Sequence, residues 1–184
     1  MVEKRLSLIR LDDDQAVDLN NSGRSPAYFC RRKPVAVTRE LVADLVARGA
    51  GTRQGIRLCL HEGPEARLHD MIVVQYTEQY PRPHKHLENG ESYHMVEGEM
   101  GIVVFDDEGE IVDACRMDAS NTAVYSVGAG TYHTNFPLTD VVVYHESRPG
   151  PFVSGGSVPA PWAPDGEDEG AAREFIAALR MLLP

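Results

Sequence analysis

The sequence predicts a mostly β fold, an antiparallel barrel or sandwich, preceded by one helix and followed by another. From about residue 50 to about residue 153, short runs rich in β-branched and aromatic residues are separated by Gly, Pro, Asp or Asn. This pattern is typical of antiparallel strands joined by turns. The predicted strands lie in the runs IRLCLH, MIVVQYTEQY, ESYHMVEG, GIVVFDD, EIVDACRM, AVYSVG and DVVVYHES.

Two segments have helical periodicity instead. Residues 38–48 begin with Thr38, a suitable N-cap, and are followed by Gly49 as a stop. Residues 171–183 form an amphipathic pattern near the end of the chain. The apolar positions of the first helix are Leu41, Val42, Leu45 and Val46, and those of the second are Phe175, Ile176, Leu179, Leu182 and Leu183.

The 184 residues are expected to form one structural domain. Residues 1–50 are interpreted as an extension and helix that pack on the strands of 51–184. We expect residues 1–30 to be irregular, with a turn in NNSGRSP (20–26). The Pro-rich segment GSVPAPWAPDGEDEG is expected to be held by packing of Trp162.

Four residues of metal-binding types occur at informative spacings. The segment PRPHKHLENGESYHMVEG (81–98) has the pattern H-x-H-x4-E-x6-G, which contains His84, His86 and Glu91. The segment VGAGTYHTN (127–135) places His133 after a glycine-rich turn. Three imidazoles and one carboxylate suit a borderline divalent ion such as Fe, Zn, Mn or Ni and leave coordination positions open. The sequence therefore predicts one divalent transition metal.

Strand geometry supports this interpretation. Side chains alternate along a strand, so His84 and His86 are expected to point the same way. Glu91 opens the strand after the turn Glu88-Asn89-Gly90, and an adjacent antiparallel strand at about 5 Å would let its carboxylate reach the same ion. His133 should begin a strand that packs nearby. The alternative is that all four are ordinary turn, surface or loop residues, which their joint occurrence disfavours.

These motifs resemble those of the cupin superfamily, and the resemblance narrows to the WbuC-type cupin-fold metalloproteins. The resemblance includes RLCLHEGP, YPRPHKHLENGES, GEMGIVVFDDEGEI, YHTNFPL, VVYHESRPGPF and APWAPDGED, in that order. It implies a double-stranded β-helix, or jelly-roll, barrel with a helical N-terminal segment and a C-terminal helix. The chain departs from the family pattern at Arg57-Leu58-Cys59-Leu60-His61, where relatives often have Asn-x-Asn or Asn-x-His.

Further residues are candidates for the pocket beside the metal. Tyr93 has the parity of Glu91, and Tyr93 and His61 are the candidates for general acid/base catalysis. His94 and His145 have weaker claims, since each is expected to alternate outward. The candidate substrate-binding residues are Arg57, Gln75, Arg82 and Asn135. For each of them, core filling or a surface ion pair is the competing interpretation.

Three functions remain open from the sequence. The metal could act as a Lewis acid on a sugar or other hydroxy-carbonyl compound, in isomerase, epimerase or lyase chemistry. The WbuC-type resemblance favours this, because relatives occur in polysaccharide (O-antigen) gene clusters. Alternatively, Fe(II) could activate O₂ in a dioxygenase, or the fold could be a metal-dependent binding module without turnover.

Composition excludes several other classes of function. A net charge of −10 argues against a nucleic-acid partner, and no apolar run approaches the ~18–20 residues of a membrane span. No phosphate-binding loop or dinucleotide fingerprint occurs. The start of the chain has no signal-peptide pattern, and the odd number of scattered cysteines, Cys30, Cys59 and Cys115, suits reduced thiols. We therefore expect a cytoplasmic protein with a small-molecule substrate. Small cupin barrels often pair through edge strands or terminal segments, so the resemblance also implies a homodimer.

Overall fold

A computed structural model describes residues 8–23 and 25–183, and within them the chain forms twelve strands and two helices. The helices are α1 (Arg39–Ala50) and α2 (Glu169–Met181). The strands are β1 (Val17–Asn20), β2 (Ala27–Cys30), β3 (Ile56–Cys59), β4 (Leu68–Tyr76), β5 (His84–His86), β6 (Glu91–Glu97), β7 (Glu99–Phe105), β8 (Ile111–Asp118), β9 (Val124–Val127), β10 (Tyr132–Pro137), β11 (Val141–Pro149) and β12 (Ser157–Pro159).

The strands form two sheets with jelly-roll connectivity. The seven-stranded sheet has the order β1-β2-β3-β4-β11-β6-β9, and the five-stranded sheet has the order β12-β5-β10-β7-β8. Strands β4 to β11 contribute the two four-stranded halves of a jelly roll, β4-β11-β6-β9 and β5-β10-β7-β8. The predicted all-β, cupin-like jelly-roll fold is confirmed. Its form is a two-sheet sandwich, since no backbone ladder joins the two sheets in the described ranges.

Apolar side chains fill the space between the sheets and cover both outer faces. Met100, Ile102 and Val142 are fully buried between the sheets. Helix α1 packs on the outer face of the large sheet, and α2 packs on the outer face of the small sheet. This four-layer arrangement buries alternate residues of a strand in different cores, which explains why every residue of β10 is buried and why β7 is apolar from Met100 to Phe105.

Helix α1 begins as predicted and ends later than predicted. Thr38 is the N-cap, and its hydroxyl accepts a hydrogen bond from the Leu41 N–H at 3.2 Å. Gly49 does not stop the helix, which continues to Ala50. A Cβ at Gly49 would lie 2.7 Å from the Tyr76 hydroxyl oxygen, so this glycine permits close contact between α1 and β4. The Tyr76 hydroxyl in turn donates to the Val46 carbonyl at 2.6 Å.

The prediction that residues 1–30 are irregular is wrong for two segments. Strands β1 and β2 form a short antiparallel hairpin, and β2 extends the large sheet by parallel pairing with β3. Each strand has only four residues, too few to show a clear alternating pattern in the sequence. Pairing with the edge of the large sheet therefore determines their structure. The turn predicted at 20–26 joins them, where Asn20 Oδ1 accepts a hydrogen bond from the Ser22 N–H. Residues 1–7 and 24 lie outside the described part.

The C-terminal helix lies against the small sheet with a narrower apolar face than predicted. Asp168 caps its N-terminus by accepting hydrogen bonds from the N–H groups of Gly170 and Ala171. Ile176 and Leu179 are buried, whereas Leu182 is 57% exposed because it lies at the C-cap, beyond the last helical turn. Trp162 packs against Phe105, Tyr132 and Phe175, so the tail is ordered by Trp162 as predicted.

Candidate metal centre

The four predicted ligands lie together at one end of the jelly roll. His84 and His86 come from β5, and His133, on β10, is the register partner of His84. Glu91 begins β6 in the opposite sheet. One ligand atom from each residue can be chosen so that all four lie within 4.8 Å of one another. With metal–ligand bonds of about 2.0–2.2 Å, atoms on opposite sides of an ion are separated by about 4–4.4 Å, so the limit of 4.8 Å exceeds the largest spacing around one ion by only about 0.4 Å.

One part of the predicted geometry is wrong. The sequence places Glu91 on a strand adjacent to His84 and His86, but β5 pairs with β10 and β12, whereas β6 pairs with β11 and β9. The turn at residues 87–90 carries the chain from one sheet to the other. Glu91 therefore reaches the histidines across the sandwich, and the cluster links the two sheets.

The histidine rings are oriented by backbone acceptors. His84 Nδ1 lies 3.1 Å from the Arg82 carbonyl oxygen, and His133 Nδ1 lies 2.9 Å from the Thr131 carbonyl oxygen. A proton on Nδ1 satisfies each carbonyl oxygen and makes Nε2 the atom that would bind an ion, which is the usual arrangement of metal-binding histidines. The Nε2 atoms of His133 and His86 lie 2.5 Å and 3.2 Å from the Glu91 carboxylate oxygens. The donor set therefore fits a divalent transition metal.

Burial and mutual contacts set the protonation of this cluster. Burial, followed by the charge of the neighbouring His133, lowers the pKa of His84 to about 4. For Glu91, burial raises the pKa, but hydrogen bonds to His133 and His86 outweigh it and hold the pKa well below 4.5. His84 is therefore neutral and Glu91 ionised near pH 7, which are the forms that bind metals. For His133, burial lowers the pKa, but the hydrogen bond to Glu91 outweighs it and raises the pKa, so a bound ion would displace the proton from Nε2.

A cavity of about 260 Å³ opens onto the cluster. Three of the four predicted ligands line it, and the rest of its wall is largely polar. Predicted residues Arg57, Gln75, Tyr93 and Asn135 also line the cavity. The Tyr93 hydroxyl donates a hydrogen bond to Glu91 Oε1. Tyr93 is thus positioned to hold the carboxylate of the cluster.

Two predicted site residues lie elsewhere. Arg82 does not line the cavity. Its guanidinium donates a hydrogen bond to the Ala160 carbonyl at 2.9 Å and so holds the Pro-rich segment after β12 in place. His61 follows the end of β3 and stacks on His69 with ring centroids 4.5 Å apart. It lines a neighbouring cavity and not the one at the cluster. Of the weaker candidates, His94 is exposed and His145 pairs with Asp70 on the outer face, at 2.5 Å.

Three cavity-wall residues that the sequence interpretation missed lie on β11. Tyr144, Glu146 and Arg148 alternate along β11 and face the cluster from the centre of the large sheet. Their shared parity could have identified them, because His145 was correctly expected to point outward. Glu146 is 16% exposed, and burial, followed by the charge of Glu91, raises its pKa to about 7.

The stacked pair His61 and His69 predicts a pH-dependent stability. Burial lowers the pKa of both rings below 6.5, so on acidification the unfolded chain takes up these protons before the folded chain does. The stability that they contribute is complete above about pH 6.5 and is lost as the pH falls. We expect His61→Asn, which retains an acceptor for the Asp70 N–H, to reduce the loss of unfolding free energy between about pH 7.5 and about pH 5.5.

Urea titrations at both pH values measure this difference, with His94→Asn on the exposed face of β6 as the control for removal of an imidazole. An unchanged pH dependence in His61→Asn would contradict the assignment of the proton uptake to this pair.

The strand order and the cluster define a cupin-type jelly roll with a possible metal site of three histidines and one glutamate. The model of a domain of unknown function, DUF6016, matches residues 37–117, a range that contains three of the four cluster residues. No curated protein matches the chain. No helix of the described residues is long and apolar enough to cross a membrane.

Solved structures similar to this chain include an X-ray structure of a protein from Shewanella oneidensis, with 12% identity and a TM-score of 0.50 over 72% of this chain and 89% of that one. At this identity the likeness concerns the fold alone. Oxalate decarboxylase of Bacillus subtilis, described with Mn(II) centres, has 17% identity and a TM-score of 0.42, over 50% of this chain and 24% of that one. CapF, solved with 3-isopropenyl-tropolone, has 16% identity and a TM-score of 0.46, over 53% and 29%. The chain thus spans less than a third of these two longer proteins.

Proposed function

We propose that this protein is a metal-dependent enzyme that moves a proton next to the carbonyl group of a small, polar, sugar-like substrate, in isomerase, epimerase or lyase chemistry. The observation that carries this proposal is a carboxylate beside the metal-type cluster. Glu146 lines the same cavity as the candidate ligands, and its nearest charged partner in the described residues is Arg148, at 4.0 Å. A bound divalent ion would polarise the carbonyl oxygen as a Lewis acid.

The cavity favours a small substrate with hydroxyl groups. Its volume of about 260 Å³ is below the ~300–1,000 Å³ of sites for drug-sized ligands. Gln75 Oε1 is buried and has no hydrogen-bond partner within the described residues. A substrate hydroxyl would satisfy this acceptor, since buried polar groups left unpaired are costly.

Glu146 is the residue that we assign to proton transfer. Its carboxylate would take the proton from the carbon next to the carbonyl and return it to the same or a neighbouring carbon. A carboxyl group with a pKa of about 7 suits both steps at neutral pH. Tyr93, the first candidate from the sequence, instead donates a hydrogen bond from its hydroxyl group to Glu91. We propose that Tyr93 positions the ligand carboxylate.

The resemblance to WbuC-type cupins supports the sugar-like class of substrate. We propose that the chain belongs with those proteins and acts in polysaccharide synthesis, on the basis of the ordered segments from RLCLHEGP to APWAPDGED. These segments contain the metal-type residues and the strand that carries Glu146.

Proton exchange in D₂O tests the proposed chemistry. We expect the metal-loaded protein to incorporate deuterium next to the carbonyl of at least one compound in a panel of aldoses, ketoses and hydroxy-carbonyl acids, detected by NMR. Glu146→Gln should slow this exchange by about 10²–10⁴-fold with its metal content unchanged. His84→Ala should lose both metal and exchange.

Absence of exchange across the panel, together with oxygen consumption by an iron-loaded protein, would contradict this proposal and favour a dioxygenase. Ligand binding without exchange and without oxygen consumption would make the protein a binding module.

We also propose a cytoplasmic homodimer. Strand β8 is an edge of the small sheet and exposes Ile111 (40%) and Val112 (62%), and apolar edge strands favour pairing with another chain. Light scattering at micromolar concentration should give a mass near twice 20.3 kDa. Val112→Lys should shift the population toward the monomer, whereas Val124→Lys, on the edge strand β9 of the other sheet, should not. A monomeric wild-type protein would contradict the proposal.

A further inference from the structure

Two arginines separate the cavity at the metal-type cluster from a second cavity of about 220 Å³. Arg57 and Arg148 line both cavities, and Arg148 also lines a third surface pocket beside His86. Arg57 lies on β3 and Arg148 on β11, and both strands pair with β4. The two guanidinium groups therefore enter the same polar space from opposite sides of one strand.

Neither guanidinium is fully paired by the described residues. Arg57 has no side-chain hydrogen bond and no carboxylate within 4.0 Å in the described ranges. Arg148 has Glu146 at 4.0 Å, which is the outer limit of an ion pair, and His86 Nε2 at 3.3 Å. Buried or half-buried arginines normally form close, often bidentate, contacts with an oxyanion. Between residues 25 and 183, this pair has no such close contact.

A bound metal would increase the need for an anion. His86 Nε2 cannot both donate to Glu91 and accept from Arg148, and a bound ion would occupy the same nitrogen, so metal binding leaves the Arg148 guanidinium without an acceptor there. Glu91 and Glu146, even when both are ionised, only balance the two arginines. The two positive charges of a divalent ion then remain without a counter-charge in a half-buried cavity, although the whole chain is strongly acidic.

We infer that Arg57 and Arg148 form a binding site for an oxyanion of the substrate, a carboxylate or a phosphate, attached to the sugar-like part that reaches the metal. This inference rests on the proposed function for the position of the sugar-like part. The oxyanion would lie at the boundary of the two cavities, where both guanidinium groups are accessible. The substrate class is thereby narrowed from neutral sugars to sugar acids or sugar phosphates.

Calorimetric titration with three matched probes tests the site: galactose, galacturonate and galactose 6-phosphate, at constant ionic strength. We expect one of the two anionic probes to bind the metal-loaded protein at least about tenfold more tightly than galactose. Arg57→Gln and Arg148→Gln should each weaken that probe by about 10–100-fold and leave galactose nearly unchanged. Arg57→Lys and Arg148→Lys should recover part of the affinity. Arg10→Gln, at an arginine whose side chain is 76% exposed, is the control.

The preferred probe distinguishes a carboxylate site from a phosphate site. Equal binding of all three probes, or no measurable binding of any, in a protein that holds one metal ion per chain would overturn the oxyanion site and leave the metal centre standing. Titration of the His84→Ala variant tests the opposite case, in which the oxyanion site exists and the metal centre does not. If the wild type binds no metal but an arginine-dependent preference for an anionic probe persists in His84→Ala, the oxyanion site stands and the proposed function fails.

Discussion

Replacing His133 with alanine is expected to abolish stoichiometric metal binding. His133 is 1% exposed, its Nδ1 is fixed by the Thr131 carbonyl, and its Nε2 lies 2.5 Å from Glu91. Its loss removes a ligand and leaves Glu91 with a less complete set of partners. Replacing groups that only support ligands typically weakens metal affinity about 10–100-fold, so the loss of a ligand should exceed about 100-fold. Elemental analysis after reconstitution and a competition titration measure both quantities.

The matched control for this variant is His145→Ala. His145 lies on β11, faces the opposite side of the sheet and pairs with Asp70, so its removal should leave the metal content unchanged. His84→Ala should behave as His133→Ala does. Retention of one ion per chain in both His84→Ala and His133→Ala would contradict the ligand assignment.

The second large effect is expected from Phe136→Ala, which should destabilise the whole fold. Phe136 is 0% exposed, lies on the same strand as His133 and packs in the core beneath α2. Its ring fits against Gly101, its register partner on β7, where a Cβ would lie 2.8 Å from a ring carbon. Truncating such a residue costs about 3–5 kcal/mol of unfolding free energy, including the cavity that remains. At about 2–4 °C per kcal/mol for a chain of this size, Tm should fall by roughly 10 °C.

Urea unfolding followed by fluorescence and circular dichroism measures this loss. Phe152→Ala is the control, since Phe152 is 59% exposed and its truncation should change the unfolding free energy by less than about 0.5 kcal/mol. A similar small change in Phe136→Ala would show that α2 and β10 do not share a close-packed core.

Much of the site was predictable because its residues depend on local periodicity. The H-x-H spacing places His84 and His86 on one face of β5 in any strand, and the glycines before His133 mark the turn that opens β10. Both predictions need only the alternation of side chains. The same alternation correctly placed Tyr93 beside Glu91 and His94 on the outer face.

The remaining features depend on which strands become neighbours. Nothing local distinguishes a turn that returns to the same sheet from one that crosses to the other, so the position of Glu91 across the sandwich was not predicted. Arg148 was missed because it is remote in sequence from His86, although its guanidinium lies 3.3 Å from that ring. Strands β1 and β2 are four residues each and become ordered by extending an existing sheet. His61 has the same strand parity as Arg57. Strand β3 ends at Cys59, however, and the His61 ring lies in another cavity.

Elemental metal content of the wild-type protein, purified without chelators and without a nickel column, tests the central claim most directly. The arrangement of His84, His86, Glu91 and His133 predicts one divalent transition-metal ion per chain. Stoichiometric zinc, manganese or nickel would agree with Lewis-acid chemistry, and stoichiometric iron would direct the next assay to oxygen consumption. A chain that holds no metal, even after reconstitution with each of these ions, would contradict the metal centre.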